Sequence, residues 1–262
     1  MDLGIRGRKA IVNGGSAGMG RASALALARE GVELVVSARG GERLVRACRE
    51  IAGETGTAVT PVAADHSTAD GMARILDACP DPDILVGTCS PPRIEGELSA
   101  VTRQQWIDTL GISLLGPIDF MQAVMGGMAE RGWGRIVNIA TVAAKFPTEP
   151  RVISGAPRAA LANYTVGIAK KAARRGVVIN NVLPGMVRTD SALERYGAIG
   201  KAEGTSADEE IAKAARKLRI PVGGFGDPDQ VGALVAFLCS AHAGYLVGQN
   251  IVVDGGLTTA TF

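Results

Sequence analysis

Four glycines fall within seven residues directly after a short apolar run near the start of the chain: Lys9-Ala10-Ile11-Val12-Asn13-Gly14-Gly15-Ser16-Ala17-Gly18-Met19-Gly20. An Ala/Leu-rich stretch, residues 21–30, leaves the turn. An apolar run entering a glycine bend and a helix-forming segment leaving it read as strand, tight turn, helix. Glycine admits positive φ and lets the backbone come close to a pyrophosphate, while the free N–H groups and positive dipole end of the following helix favour an anion. A turn of this kind also occurs as a purely structural bend, so its meaning depends on the rest of the chain.

Beyond residue 30 the chain alternates between two patterns. Strands are expected at 33–38, 57–63, 83–88, 135–140, 177–182 and 250–254. Helices are expected at 41–52, 69–78, 102–131, 152–175 and 227–239, the third of these interrupted near Gly111 and Gly116-Pro117. The pattern predicts an α/β fold, a Rossmann-type three-layer sandwich with a seven-stranded, mainly parallel, doubly wound sheet. A length of 262 residues suits a single domain spanning 1–262. Ligands in such sheets lie beyond the carboxyl ends of the strands, so residues 88–93, 140–148 and 183–190 are expected to share one crevice. Residues 190–220 are polar and carry the acidic run Asp208-Glu209-Glu210; they read as a lid over a substrate pocket, or as a solvated insertion.

The end of the second strand chooses the ligand. A carboxylate there would accept hydrogen bonds from an adenosine ribose and repel a 2′-phosphate, whereas Arg39 offers that phosphate a charged fork. NADP(H) is therefore favoured, with NAD(H) possible; the alternative is a solvated arginine opening the next helix. No second basic residue lies between Gly15 and Gly18 to strengthen the phosphate site. Asp65, ending the third strand, suits the adenine amino group, and His66 beside it reads as a loop residue. The candidate cofactor contacts are thus Gly14, Ser16, Ala17, Gly18, Met19 and Gly20 in the turn, Arg39, Asp65 and His66, and Thr88 and Cys89 after the fourth strand.

A net charge of +2 with no basic block gives no footing for nucleic acid. The amino-terminal residues lack the apolar centre of a signal peptide, and no apolar run approaches a membrane span, so a soluble cytoplasmic protein without a membrane partner is expected. Cys48, Cys79, Cys89 and Cys239 are dispersed, and only His66 and His242 could add imidazole. Buried free thiols are expected, and no metal.

Several spaced motifs resemble the short-chain dehydrogenase/reductase family over essentially the whole chain. Asn13-Gly14-x-x-x-Gly18-Met19-Gly20 is similar to its Thr-Gly-x-x-x-Gly-Ile-Gly turn. Gly134-Arg135-Ile136-Val137-Asn138-Ile139 is similar to its fifth strand. Asn181-Val182-Leu183-Pro184-Gly185-Met186-Val187-Arg188-Thr189 resembles the loop that holds the nicotinamide carboxamide, and Gly248-Gln249 with Asp254-Gly255-Gly256 its carboxyl-terminal signature. The resemblance implies an oxidoreductase like the 3-oxoacyl-acyl-carrier-protein reductases, which interconverts a small-molecule carbonyl and alcohol with NADP(H). It adds Pro184, Gly185, Val187 and Thr189 to the cofactor contacts. It also implies a homo-oligomer, a tetramer or dimer, built through the long helices and the last strand.

The family's chemistry uses an asparagine, a serine, a tyrosine and a lysine, and here the matching positions are Ser113, Thr141, Ser154 and Arg158. All four depart. Thr141 keeps a hydroxyl for a developing oxyanion. Arg158 keeps a cation one turn beyond Ser154 and can bind ribose hydroxyls, but guanidinium stays charged and relays no proton. An aliphatic hydroxyl at Ser154 is far less acidic than a phenol. Tyr164 lies on another face of the same helix, about 15 Å along it. Lys145 and Tyr196 are further candidates, each also readable as solvated. A water ordered by Ser154, Thr141 and Arg158 is the favoured proton source. A catalytically silent nicotinamide-binding sensor or partner subunit is the alternative. The turn Gly87-Thr88-Cys89-Ser90 also stands where the family usually has Asn-Asn-Ala-Gly.

Overall fold

The computed structural model of the chain describes residues 1–88 and 97–259. Seven strands alternate with nine α-helices among these residues: β1 (Lys9–Asn13), α1 (Gly18–Arg29), β2 (Glu33–Ala38), α2 (Gly41–Thr55), β3 (Val59–Ala63), α3 (Ala69–Ala78), β4 (Ile84–Thr88), α4 (Arg103–Leu110), α5 (Gly116–Glu130), β5 (Gly134–Ile139), α6 (Val152–Ala173), β6 (Val177–Pro184), α7 (Asp190–Glu203), α8 (Ala207–Lys217), α9 (Pro228–Leu238) and β7 (Asn250–Val253). The sheet runs β3-β2-β1-β4-β5-β6-β7, and every neighbouring pair is parallel. Strand order reverses between β1 and β4, where Asn13 stands beside Gly87. A crevice opens at such a reversal because the chains leaving the two strands depart to opposite faces.

Strand periodicity divides the core. Ala10 and Val12 of β1 join one apolar cluster with α1, α2 and α9, while Ile11 joins the other with α3, α5 and α6. Leu34 and Val36 against Val35, and Ile84 and Val86 against Leu85, repeat the same division. A sheet covered on both faces needs apolar side chains at consecutive positions, and this is why these strands are continuous apolar runs in the sequence.

Three expected boundaries need correction. β3 begins at Val59, not 57, because the Thr57 hydroxyl donates to the Ala28 carbonyl at 2.9 Å instead of joining the ladder. β6 continues to Pro184 beside β7. The break expected at Gly111 and Gly116-Pro117 is instead a π turn, Gly111–Leu115, that joins α4 to α5. Gly116 N–H donates back to the Gly111 carbonyl, and Pro117, which has no N–H to donate, enters the first turn of α5 without ending the helix. The joined run Arg103–Glu130 has 28 residues, and an 18-residue window within it reaches a mean hydropathy of 1.2, so that by length and composition alone it is long and apolar enough to cross a membrane, contrary to the sequence expectation. Its Phe120, Met121, Val124 and Met128 are buried in the core, and a third of that window is buried in all.

Cys48, Cys79 and Cys239 are buried free thiols. Cys89 lies outside the described residues. Burial pushes Cys48 and Cys79 up to about 11 and Cys239 up to about 12. Thiolate is the reactive species, so an aromatic disulfide reagent at pH 8 is expected to leave these three unlabelled until denaturant is added. Peptide mapping showing rapid labelling of any one of them in the native protein would contradict this packing.

Candidate active site

The glycine turn folds as its composition requires. Gly14 and Gly15 N–H groups both donate to the Ser37 carbonyl, at 2.8 and 3.1 Å, which fixes the turn to β2. Gly14 and Gly18 take φ of +73° and +51°. A Cβ on Gly20 would come within 2.3 Å of the Gly14 carbonyl oxygen. Helix α1 then starts from Ala17, whose side chain offers no cap. Its first N–H groups are left for an anion to satisfy.

An open groove of about 530 Å³ runs from this turn across the carboxyl end of the sheet, within the size range of small-molecule and cofactor sites. Gly14, Ser16, Ala17, Gly18, Met19 and Gly20 form one wall; Arg39, Asp65, His66, Thr88 and Thr189 lie further along it. Eleven expected contacts thus meet in one place, and a dinucleotide fits their chemistry. Cys89 belongs to the undescribed segment. Pro184, Gly185 and Val187, expected as contacts, are not on the groove's walls; they lead the chain to Thr189, which is. Gly185 N–H donates to the Val253 carbonyl at 2.9 Å, and its missing side chain makes room for Asp254, whose Cβ would be 2.6 Å from an added Cβ. Val187 pairs with Gly226 in an isolated parallel bridge. Thr189 caps α7 through Ala192 N–H and packs against Gly18.

Asp65 is held in place by its own loop. Burial alone would raise its carboxyl, but hydrogen bonds from Ser67 Oγ and N at 2.6 and 2.9 Å, with the charges of His66 and Arg39, hold it below its ordinary value. Burial likewise lowers His66, and Arg39 adds to this against the pull of Asp65. This part of the groove therefore presents a carboxylate and a neutral imidazole at neutral pH. Gly40, Arg43, Ile112, Asp190, Ser191 and Glu194 also line the groove; the sequence reading names none of them as a contact, although residue 190 falls in its expected crevice segment and 191 and 194 in its lid. Arg43 follows Arg39 by four residues, a spacing that points both toward one end of a site; the others carry no local signal.

Thr141, Ser154 and Arg158 are not on the walls of this groove, and a second group of candidates is built on α6. Arg158 Nη1 donates to the Ser154 carbonyl at 2.9 Å and to Ser154 Oγ at 2.7 Å, one helical turn apart. The Arg158 side chain is buried, with the residue only 6% exposed. Gly155 lets the helix approach the loop after β5: an added Cβ would meet the Ala143 carbonyl oxygen at 2.8 Å. That loop begins at Thr141, whose Oγ accepts from Ala143 N–H at 3.3 Å. The close approach at Gly155 brings Ser154 beside the Thr141 turn. Ser113 lies in the π turn, fully buried, its hydroxyl without a hydrogen-bond partner among the described residues. The remaining proton-donor candidates are engaged elsewhere. Tyr164 Oη accepts from Gln122 at 3.2 Å, Lys145 lies over the Phe146 ring, and Tyr196 stacks edge-on against Phe225 with centroids 5.6 Å apart.

Thr88 and His66 also border a narrow inner cavity of about 10 Å³, roughly the room one water needs, whose walls include Asn13, Asn138 and Arg158. Thr141 and Ser154 are not on its walls. Asn138 is held by donating to Asn181 Oδ1 at 3.1 Å and Thr165 Oγ1 at 3.3 Å. A Cβ on Gly87 would come to 3.2 Å from Asn138 Oδ1.

The family described as Enoyl-(Acyl carrier protein) reductase matches residues 14–258, nearly the whole of this arrangement. The chain belongs to the short-chain dehydrogenase/reductase family. Among curated relatives of this short-chain dehydrogenase/reductase, the 3-oxoacyl-[acyl-carrier-protein] reductase FabG of Aquifex aeolicus (strain VF5) is 31% identical over 261 residues, covering 98% of this chain and 100% of the relative. Among solved structures, the L-sorbose reductase of Gluconobacter frateurii, complexed with NADPH and L-sorbose, superposes with a TM-score of 0.92 at 27% identity, covering 99% of this chain and 100% of that one. An NADPH-bound short chain oxidoreductase from Pseudomonas aeruginosa PAO1, described as containing an atypical catalytic center, reaches a TM-score of 0.87 at 26% identity, over 97% and 98% of the two chains.

Proposed function

We propose that this chain is an NADP(H)-dependent oxidoreductase interconverting a small carbonyl compound and its alcohol, with a serine–arginine pair where the family has tyrosine and lysine. The observation that carries the reading is the 2.7 Å bond from Arg158 to Ser154 Oγ, on the helix that Gly155 lets approach Ala143 in the loop after β5. Support for the cofactor comes from the groove, from Arg39 at the end of β2, and from relatives solved with NADPH or NADP. When bound, the dinucleotide supplies hydride for reduction or takes it up for oxidation.

The chain's own groups manage the oxygen. Because Arg158 fills an acceptor position of Ser154 Oγ, the Ser154 O–H is left to donate to a carbonyl oxygen, with the Thr141 hydroxyl as the second donor of this reading. Negative charge building on that oxygen meets two donors backed by a buried cation, and charge-assisted hydrogen bonds are roughly twice as strong as neutral ones. The hydroxyls orient and the guanidinium stabilises, but neither gives up a proton easily. Water completes the alcohol, and in the oxidative direction it takes the proton away.

In this reading α7 and α8 form the cover of the substrate pocket in a single domain. The two helices are braced by Arg188 against Asp208, and by Glu210, which accepts from Thr205 at 2.7 Å and Lys213 at 2.5 Å. Ile107, Leu115 and Val166 stand exposed on and around the long helices and suit assembly of cytoplasmic homodimers or tetramers through that face.

Turnover of a panel of 3-oxoacyl thioesters and keto sugars, followed by NADPH consumption, tests the proposal. Ser154→Ala is expected to lower kcat about 100-fold, the scale of one lost oxyanion donor. Unchanged rates in Ser154→Ala and Thr141→Ala would place the chemistry elsewhere. NADPH binding without turnover of any carbonyl would favour the silent, binding-only alternative. Arg39→Ala is expected to weaken NADPH by about 10- to 100-fold, the loss of a charged hydrogen bond of roughly 1.5–3 kcal/mol, while NADH changes little. Equal losses for both nucleotides in a titration would remove Arg39 from the phosphate site.

A further inference from the structure

Three charged residues on the groove wall have no part in the chemistry proposed for this chain: Arg43, Asp190 and Glu194. Arg43 is the third residue of α2, so it stands at the same end of the groove as Arg39, with Gly40 between them as the start of the helix. Gly40 brings no side-chain cap, which leaves the first N–H groups of α2 beside the two guanidinium groups. Arg43 Nη2 donates to Asp190 Oδ2 at 2.5 Å, across 147 positions of sequence, and so links α2 to the first residue of α7. Glu194 lies one turn further along α7 and borders the same groove.

We propose that Arg43 is a second cation for the 2′-phosphate of NADP(H), and that Asp190 holds its place until the phosphate displaces it. The inference rests on the groove receiving a dinucleotide. The Arg43 and Asp190 side chains are 43% and 53% exposed; pairs of this kind are weak and screened by salt. A phosphate monoester carries a charge of about −1.5 to −2 and several strong acceptors, and it can engage a guanidinium through two hydrogen bonds. The exchange therefore runs toward the phosphate. Once Arg43 has changed partner, Asp190 and Glu194 face the phosphate as like charges. They oppose NADP(H) but not NAD(H), which has no charge at that position. Arg43 and Asp190 thus set cofactor choice with opposite signs, whereas a bridge that merely staples α2 to α7 would give both residues the same sign.

Equilibrium titration of the full chain with NADPH and NADH distinguishes these. Arg43→Gln is expected to weaken NADPH about tenfold and NADH less than about twofold. Asp190→Asn is expected to tighten NADPH about threefold or more and to leave NADH unchanged. Both side chains are half exposed, so thermal midpoints near that of the unsubstituted chain are expected and report that the variants fold. NADPH affinity unaffected by Arg43→Gln would overturn the inference, as would Asp190→Asn weakening NADPH in step with Arg43→Gln. If the unsubstituted chain bound neither nucleotide, the proposed function itself would fall; normal NADPH binding with either contrary variant result removes only the role of Arg43.

Discussion

Gly20→Ala is expected to remove nucleotide binding, with at least a hundredfold loss of NADPH affinity, and to destabilise the fold by about 1–3 kcal/mol, the usual cost of forcing a methyl into packed surroundings. The added Cβ would lie 2.3 Å from the Gly14 carbonyl oxygen and 2.8 Å from Thr88 Cγ2. Neither neighbour can yield cheaply. Gly14 is held to Ser37 through its N–H, and Thr88 ends β4 in the middle of the sheet. The carbonyl would have to swing, and the turn that aims α1 at the groove would swing with it. Gly53→Ala is the matched control: nothing lies within 4 Å of its added Cβ, in the interior of α2. That variant is expected to gain about 0.5–1 kcal/mol from helix propensity alone and to bind normally. Thermal unfolding with and without NADPH reads both effects. Wild-type affinity in Gly20→Ala would mean that the glycine turn does not carry the ligand.

Arg158→Ala is expected to lower kcat by about 10³-fold, more than any single hydroxyl, because it removes the buried cation and releases Ser154 Oγ together. KM for the carbonyl should change far less, since the interaction strengthens only as charge develops on the substrate oxygen. Arg158→Lys is the informative companion. A lysine keeps the charge, but its point-like ammonium cannot reproduce the fork that reaches both the carbonyl and the hydroxyl of Ser154 at 2.9 and 2.7 Å. Partial activity, between those of the parent and Arg158→Ala, is the expected outcome. Circular dichroism and thermal midpoints check that the variants remain folded, as loss of a buried charged group also disturbs packing. A full rate in Arg158→Ala would end the case for the serine–arginine pair.

Under the proposed function, Ser154 at the position matched to the family's tyrosine changes what the site asks of solvent. In the proposed reaction a serine braced by guanidinium orients and stabilises the substrate oxygen, and the proton is left to water. The buried Arg158 and the loop approach at Gly155 belong together in this respect. The first supplies charge, and the second supplies the closeness that makes charge effective.

The sequence by itself determined the sheet, its helical layers and the phosphate turn, because each is written in local spacing. Consecutive apolar residues on β1, β2 and β4 announce a sheet buried on both faces, and the glycines at 14, 18 and 20 announce a bend that only glycine can make. Strand-end residues such as Arg39 and Asp65 were legible for the same reason, since the end of a strand predicts the direction of the crevice. Only the tertiary structure decided the rest. The Arg43–Asp190 link spans 147 positions, the Gly155 approach depends on where the loop after β5 returns, and the π turn replaces a break that glycine and proline spacing suggested. Contacts between distant segments leave no period or motif in the chain, because what fixes them is the packing of whole elements against one another and not the conformational preference of any single residue.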